Sequence, residues 1–255
     1  MKLIDTHCHL YSSEFKEDIH TIIASAKANG VQQFYLPAID RETASAMLAL
    51  EQEFTGECMA MMGLHPCSVK ENYREELAFA EEWLSQRPFV AIGEAGLDFY
   101  WDTTFAQQQY DAFTVQMQWA FNRQLPIVIH TRNAMQETIE RIKPFADKGL
   151  RGIFHCFSGT AQDAAAITAM GFYLGIGGVL TYKNSGLAQA IEHVDTQYLV
   201  LETDAPYLAP VPFRGKRNES SYLTHIVRKL ADVKKMPVEE MAAITTANAE
   251  KIFGS

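Results

Sequence analysis

The stretch Lys2-Leu3-Ile4-Asp5-Thr6-His7-Cys8-His9 decides the fold. A short apolar run ends in a histidine pair, and side chains two apart in an extended segment face the same side, so both imidazoles point one way. The same layout recurs along the chain. Gly93-Glu94, Ile129-His130, Phe154-His155 and Glu202-Thr203-Asp204 each put a metal-competent side chain at or just beyond a short apolar run. Imidazole and carboxylate together suit zinc, manganese or related ions, and a shared carboxylate lets two ions sit side by side. Side chains so far apart in sequence meet only if the runs are strands whose ends converge.

Eight β-rich runs are predicted, at residues 2–6, 33–37, 59–64, 89–93, 126–130, 152–155, 172–176 and 198–202. Eight is the count of a closed parallel barrel. Between them apolar residues recur at spacings of three and four, as in Ile19, Ile22, Ile23 and Ala26, or Phe113, Met117, Ala120 and Phe121. The alternation predicts an α/β fold, a TIM (β/α)8 barrel. Asn29-Gly30, Lys148-Gly149 and Met170-Gly171 supply the left-handed residue that closes a helix. Residues 218–233 and 237–253 read as extra C-terminal helices packed outside the barrel, with Pro237 at a first helical position.

The 255 residues, with no repeat or linker, are expected to form a single domain, 1–255. No segment approaches the roughly 18 uninterrupted apolar residues of a membrane span. The start runs straight into a strand, so no secretory leader is expected. Cys8, Cys58, Cys67 and Cys156 form no CxxC pair, which fits reduced thiols in a cytoplasm. A net charge of −9 argues against broad affinity for nucleic acid, so any phosphate contact must be local. No membrane and no stable protein partner are expected. The basic cluster Arg214-Gly215-Lys216-Arg217 lies in the irregular stretch 207–218 after the eighth run, near the expected site.

Candidate residues follow from position. Glu94, flanked by glycines after the fourth run, is costly to bury unless it meets a cation, and bridging two ions would stabilise it; helix capping is the plainer alternative. His130 and His155 are read as ligands to a second ion rather than as core histidines. Asp204 is placed to bind metal and accept a proton, with Glu202 as its neighbouring support. For His65, in Gly63-Leu64-His65-Pro66, a phosphate contact and a turn histidine before proline both stand. Arg132 is either a phosphate clamp or a surface charge. His20, His193, His225 and the cysteines receive no role.

Together, Asp5-Thr6-His7-Cys8-His9, Gly63-Leu64-His65-Pro66, Gly93-Glu94-Ala95-Gly96-Leu97-Asp98, His155-Cys156-Phe157-Ser158-Gly159 and Glu202-Thr203-Asp204-Ala205-Pro206-Tyr207-Leu208 resemble the TatD family of metal-dependent deoxyribonucleases. The resemblance runs in order from Asp5 to Phe253 and implies a barrel of the amidohydrolase superfamily. It implies that His7, His9, Glu94 and Asp204 hold one divalent ion, and that Glu94 is shared with a second completed by His130 and His155, the ions being magnesium, manganese or zinc. It further implies catalytic roles for Asp204, Glu202 and Glu94, phosphate contacts from His65, Arg132 and Lys216, and 3′-5′ exonuclease action on single-stranded DNA ends. One departure is Ser220, where relatives often have proline; it is expected to loosen that loop while removing no catalytic group.

Two other functions compete. An amidohydrolase-type enzyme would open a C–N or ester bond in a small molecule with the same centre, although many such enzymes bridge their metals with a modified lysine where this chain has Glu94. A non-catalytic, metal-stabilised binding protein would use the cluster only to hold the barrel, although structural sites usually close with four ligands.

Overall fold

Strands buried on both faces are near-continuous in apolar residues, as parallel strands covered by helices must be. The computed structural model describes residues 1–254. Its strands are β1 (Leu3–Asp5), β2 (Val31–Pro37), β3 (Cys58–Met61), β4 (Ile92–Asp98), β5 (Ile127–Arg132), β6 (Gly152–Phe154), β7 (Tyr173–Ile176) and β8 (Leu199–Leu201). Helices α1 (Ile19–Ala28), α2 (Arg41–Glu53), α3 (Tyr73–Gln86), α4 (Ala106–Arg123), α5 (Met135–Ala146), α6 (Ala161–Ala169) and α7 (Leu187–Ile191) separate them, and α8 (Leu223–Lys234) and α9 (Val238–Phe253) follow.

The ladders β1-β2-β3 and β4-β5-β6-β7-β8 are parallel throughout and in sequence order. Two junctions close them into a barrel. Met62 pairs with Ile92, its N–H reaching Ala91 O at 3.2 Å, and Thr6 N–H reaches Leu201 O at 3.0 Å. Alternate strand residues then divide between two cores. Ile4, Tyr35, Met61, Val128, Ile153 and Val200 pack together inside, while Leu3, Phe34, Ile92, Ile129 and Leu199 belong to the larger core that includes the helices.

Local chemistry supports the helix starts. Asp40 accepts the Thr43 N–H at 3.0 Å ahead of α2, and Thr160 does the same for Asp163 ahead of α6, both as capping boxes. Such caps contribute about 0.5–2 kcal/mol each. Gly30, closing α1, has φ +95°, and a Cβ there would lie 2.5 Å from Met1 O, so glycine is required by space as well as by conformation.

The structure differs from expectation at several points; the helix expected at 218–233, for one, begins at Leu223. Strand β4 runs to Asp98 rather than stopping at residue 93, so Glu94 lies within the strand. Gly96 is a strand residue whose Cβ would stand 1.9 Å from His130 O, so it permits close pairing. Pro237 precedes α9 rather than opening it, since its ψ of 145° is extended. Finally, α9 is not merely outside: Ala249 and Ile252 join the inner core, and Phe253 stacks on Tyr35 at 3.9 Å. The last turn of α9 thus plugs the end of the barrel opposite the histidines. Among the described residues, no helix is long and apolar enough to cross a membrane.

Candidate metal centre

At the carboxyl ends of the strands, five imidazoles surround one carboxylate. Glu94 comes from within β4, His7 and His9 from just past β1, His130 from β5, His155 from just past β6, and His65 from the segment after β3. Glu94 Oε2 lies 3.1 Å from His7 Nε2 and 3.7 Å from His9 Nε2. Asp204 Oδ1 stands 3.7 and 3.5 Å from the same two nitrogens. The other oxygen, Oε1, meets His155 Nε2 at 2.7 Å, His130 Nδ1 at 2.9 Å and His65 Nε2 at 3.3 Å.

The nitrogen remote from Glu94 shows what each imidazole offers. Tyr11 gives its one hydroxyl proton to Pro37 O, so His9 Nδ1, 2.9 Å from the Tyr11 oxygen, donates; the neutral ring then keeps a lone pair on Nε2, and the protonated ring turns Nε2–H to Asp204. His130 Nε2 donates to Asp98 Oδ2 at 2.9 Å; in the neutral ring this leaves the Nδ1 lone pair facing Glu94, and in the protonated ring Nδ1–H donates to Glu94 Oε1. His65 is the opposite case. Its Nδ1 accepts the Cys67 N–H at 3.0 Å, so the neutral ring carries its proton on Nε2 and presents a donor.

The residues fit a divalent cation. His7 Nε2 and His9 Nε2 are 3.3 Å apart, as are His155 Nε2 and His130 Nδ1; each pair can share a proton and, without it, turn two lone pairs onto one cation. Bonds of 2.0–2.1 Å in tetrahedral array place ligand atoms about 3.3 Å apart. The groups His7–His155–Asp204, His7–His9–Glu94 and His65–Glu94–His130 each gather their ligand atoms within 4.8 Å. The donor set is borderline nitrogen and hard oxygen without thiolate.

Electrostatics point the same way. Burial opposes ionisation of Glu94, yet His155, His65 and His7 together hold it well below the usual carboxylate range. Asp204 is likewise lowered: burial opposes this, and the His9 hydrogen bond with the charges of His155 and His7 outweighs it. Without an ion, protonated imidazoles thus supply the positive charge that keeps both carboxylates ionised, and a bound cation would take the place of those protons.

Glu202, fully buried, accepts the Cys156 N–H through Oε1, which also lies 3.6 Å from His155 Nδ1. Gly175 makes room for it, since a Cβ there would stand 2.1 Å from Glu202 Oε2. Sequence reasoning missed three contributors. Asp98 orients His130, and its even spacing from Glu94 along β4 was the available signal. Tyr11 orients His9. Asp5 accepts Thr203 N–H at 2.9 Å and the hydroxyls of Thr203 and Ser220 at 2.6 Å each, tying β1 to the chain beyond β8. Burial, partly offset by the Ser220 and Thr203 hydrogen bonds, pushes the Asp5 carboxyl up to about 7. Ser220 does not loosen its loop as expected; fully buried, it tethers that loop to Asp5.

A cavity of about 650 Å³ opens over Glu94 and is lined by His65, Arg132, Asp204 and Tyr207 among others. Arg132 stands at its rim, 3.8 Å over the Tyr100 ring. Lys216 is exposed and does not line it, while its neighbours are engaged elsewhere: Arg214 lies over Tyr182, and Arg217 pairs with Asp18 at 2.6 Å.

The TatD related DNase family model matches residues 4–254. The chain belongs to that family. An uncharacterised metal-dependent hydrolase of Bacillus subtilis, YabD, is 36% identical over 98% of this chain and 98% of its own length. The 3′-5′ ssDNA/RNA exonuclease TatD of Citrobacter rodentium is 34% identical over 99% of this chain and 98% of its own. The crystal structure of the TatD homologue YjjV from Escherichia coli superposes with a TM-score of 0.93 at 28% identity, covering 99% of this chain and 98% of that one. This TatD family member is thus a hydrolase on a parallel α/β barrel.

Proposed function

We propose that this TatD family protein is a metal-dependent deoxyribonuclease that hydrolyses phosphodiester bonds, acting as a 3′-5′ exonuclease on single-stranded DNA ends. The observation that carries the reading is the division of Glu94: each carboxylate oxygen faces its own set of imidazole nitrogens, and fixed donors stand beyond them on one cavity. Two divalent ions, magnesium, manganese or zinc, would be held, one by His7, His9, Glu94 and Asp204, the other by Glu94, His130 and His155. Bound there, such ions lower the pKa of a water and stabilise charge on phosphoryl oxygens. The whole chain serves as one hydrolase domain.

The remaining work falls to side chains. The Asp204 carboxylate, kept ionised by the histidines, accepts a proton from the attacking water. His65, through Nε2–H, and Arg132 donate to non-bridging phosphate oxygens as charge grows there, with Lys216 reaching the backbone further out. Glu202 positions His155 and the Cys156 backbone. An acidic protein with a confined cavity favours a short threaded end over a long duplex. The relative named as a 3′-5′ ssDNA/RNA exonuclease supports this polarity and substrate. Four free cysteines fit a cytoplasmic setting.

The test is digestion of 3′- and 5′-labelled single-stranded DNA by wild type and Asp204→Asn with magnesium or manganese. Wild type shortens the strand from its 3′ end, and the variant loses nearly all activity. Equal digestion by both removes Asp204 from the reaction, and hydrolysis of amides or lactones with intact DNA would replace the nuclease reading.

A further inference from the structure

Aromatic rings at the mouth of the cavity stand in water. Trp101 is 68% exposed and Tyr207 51%, and both line the cavity that opens over Glu94. Trp101 follows β4 and Tyr207 follows β8, four strands apart in a barrel of eight, so they occupy opposite sides of the mouth.

Neither ring is on a loose loop. Asp98 Oδ1 accepts the Tyr100 N–H at 2.9 Å and the Trp101 N–H at 3.3 Å, while its Oδ2 holds His130. The indole meets Tyr100 edge-on at 4.8 Å, and the Arg132 guanidinium lies 3.8 Å from the Tyr100 centroid and 5.2 Å from that of Trp101. Across the mouth, Tyr207 donates its N–H to Asp204 O at 2.8 Å, and its carbonyl accepts from Asn218 at 2.7 Å. Its ring sits 6.1 Å from that of His9. The backbones of both residues are therefore fixed by groups that also hold candidate metal-site residues, yet most of each ring is left uncovered.

We infer that Trp101 and Tyr207 are stacking platforms for the bases of a single-stranded end whose phosphate lies between Arg132 and His65. The inference rests on the nuclease reading for its substrate class. Stacking accepts any base, because every base has a π-face, and it requires an unpaired one. The acidic chain offers little long-range attraction to a backbone, so affinity must come from contacts of this kind together with Arg132, for which no carboxylate partner occurs among the described residues.

The test uses magnesium-loaded protein and two probes with the same phosphate, 2′-deoxyadenosine 5′-monophosphate and 2-deoxyribose 5-phosphate, titrated by calorimetry against wild type, Trp101→Ala and Trp101→Phe. Stacking on one ring is worth about 5- to 150-fold in affinity. Wild type should prefer the nucleotide by that factor, Trp101→Ala should lose most of the preference, and Trp101→Phe should retain much of it. A preference that is absent in wild type, or unchanged in Trp101→Ala, overturns the inference. A variant that merely unsettles the loop weakens both probes alike and leaves the ratio intact, which also counts against it. Hydrolysis is read separately: wild type that prefers the nucleotide but shortens no oligonucleotide sinks the nuclease reading and leaves the platform standing.

Discussion

Glu94→Gln tests the centre most directly, because one atom changes and five imidazoles notice. The substitution replaces a carboxylate oxygen with an amide NH2 and removes the negative charge that faces His7 and His9 through Oε2 and His155 and His130 through Oε1. Metal bound to the folded state alone adds RT ln(1 + [L]/Kd) to its stability, about 2.7 kcal/mol at a hundredfold excess over Kd. An unfolding entropy of about 2.1 cal/mol/K per residue gives about 0.5 kcal/mol per kelvin for 255 residues, so the wild-type melting temperature should rise by about 5 °C over an EDTA-treated sample. In Glu94→Gln the rise should shrink to about 1 °C or less at the same metal concentration. Loss of an outer partner alone costs about 10- to 100-fold in metal affinity or activity, and a shared ligand should cost more. Scanning calorimetry with magnesium, manganese and zinc measures the shift. If Glu94→Gln kept the full rise with each ion, the carboxylate would not be a ligand and the reasoning from its two oxygens would fail.

Two further outcomes concern the scaffold. Ser220→Ala removes a 2.6 Å hydrogen bond to buried Asp5 and should lower stability by about 1–3 kcal/mol in urea unfolding; a loss under about 0.5 kcal/mol would mean the contact is dispensable. The Arg217 hydrogen bond lowers the Asp18 pKa, so that stabilisation is complete above the unfolded value and fades as pH falls through the folded one. Because both groups are partly exposed, Asp18→Asn should cost under about 1 kcal/mol at pH 7 and nothing measurable near pH 2, and a difference that grew on acidification would contradict the sign.

The barrel was legible because its strands are short and buried on both faces, so eight apolar runs stand out against helical periodicity. The histidine pair was legible from its spacing and its place after an apolar run, although β1 ends at Asp5 and both rings are brought together by the bend beyond it. Glu94 was placed after the fourth strand rather than within it, since only the partner strand reveals that Gly93 and Gly96 permit close pairing. Asp5, Thr203 and Ser220 form one cluster, but no local pattern predicts a hydrogen bond between residues 5 and 220. The plug formed by α9 was hidden for the same reason. Its apolar face looks like that of any outer helix until Phe253 is seen on Tyr35.

Sequence offers five histidines of one kind around Glu94, and the fold sorts them by what touches the far nitrogen. His9 and His130 meet an acceptor there, Tyr11 and Asp98, and so turn a lone pair inward. His65 is followed by Pro66 in a tight turn that brings the Cys67 N–H onto Nδ1, which consumes the lone pair and turns a donor inward. A cation and a phosphate require opposite polarities from the same ring. Proximity alone groups His65 with Glu94 and His130 as candidate ligands. The backbone hydrogen bond separates it from them, and on the nuclease reading proposed above this difference in proton placement would let a ring of similar side chains hold cations at its centre and an anion at its edge.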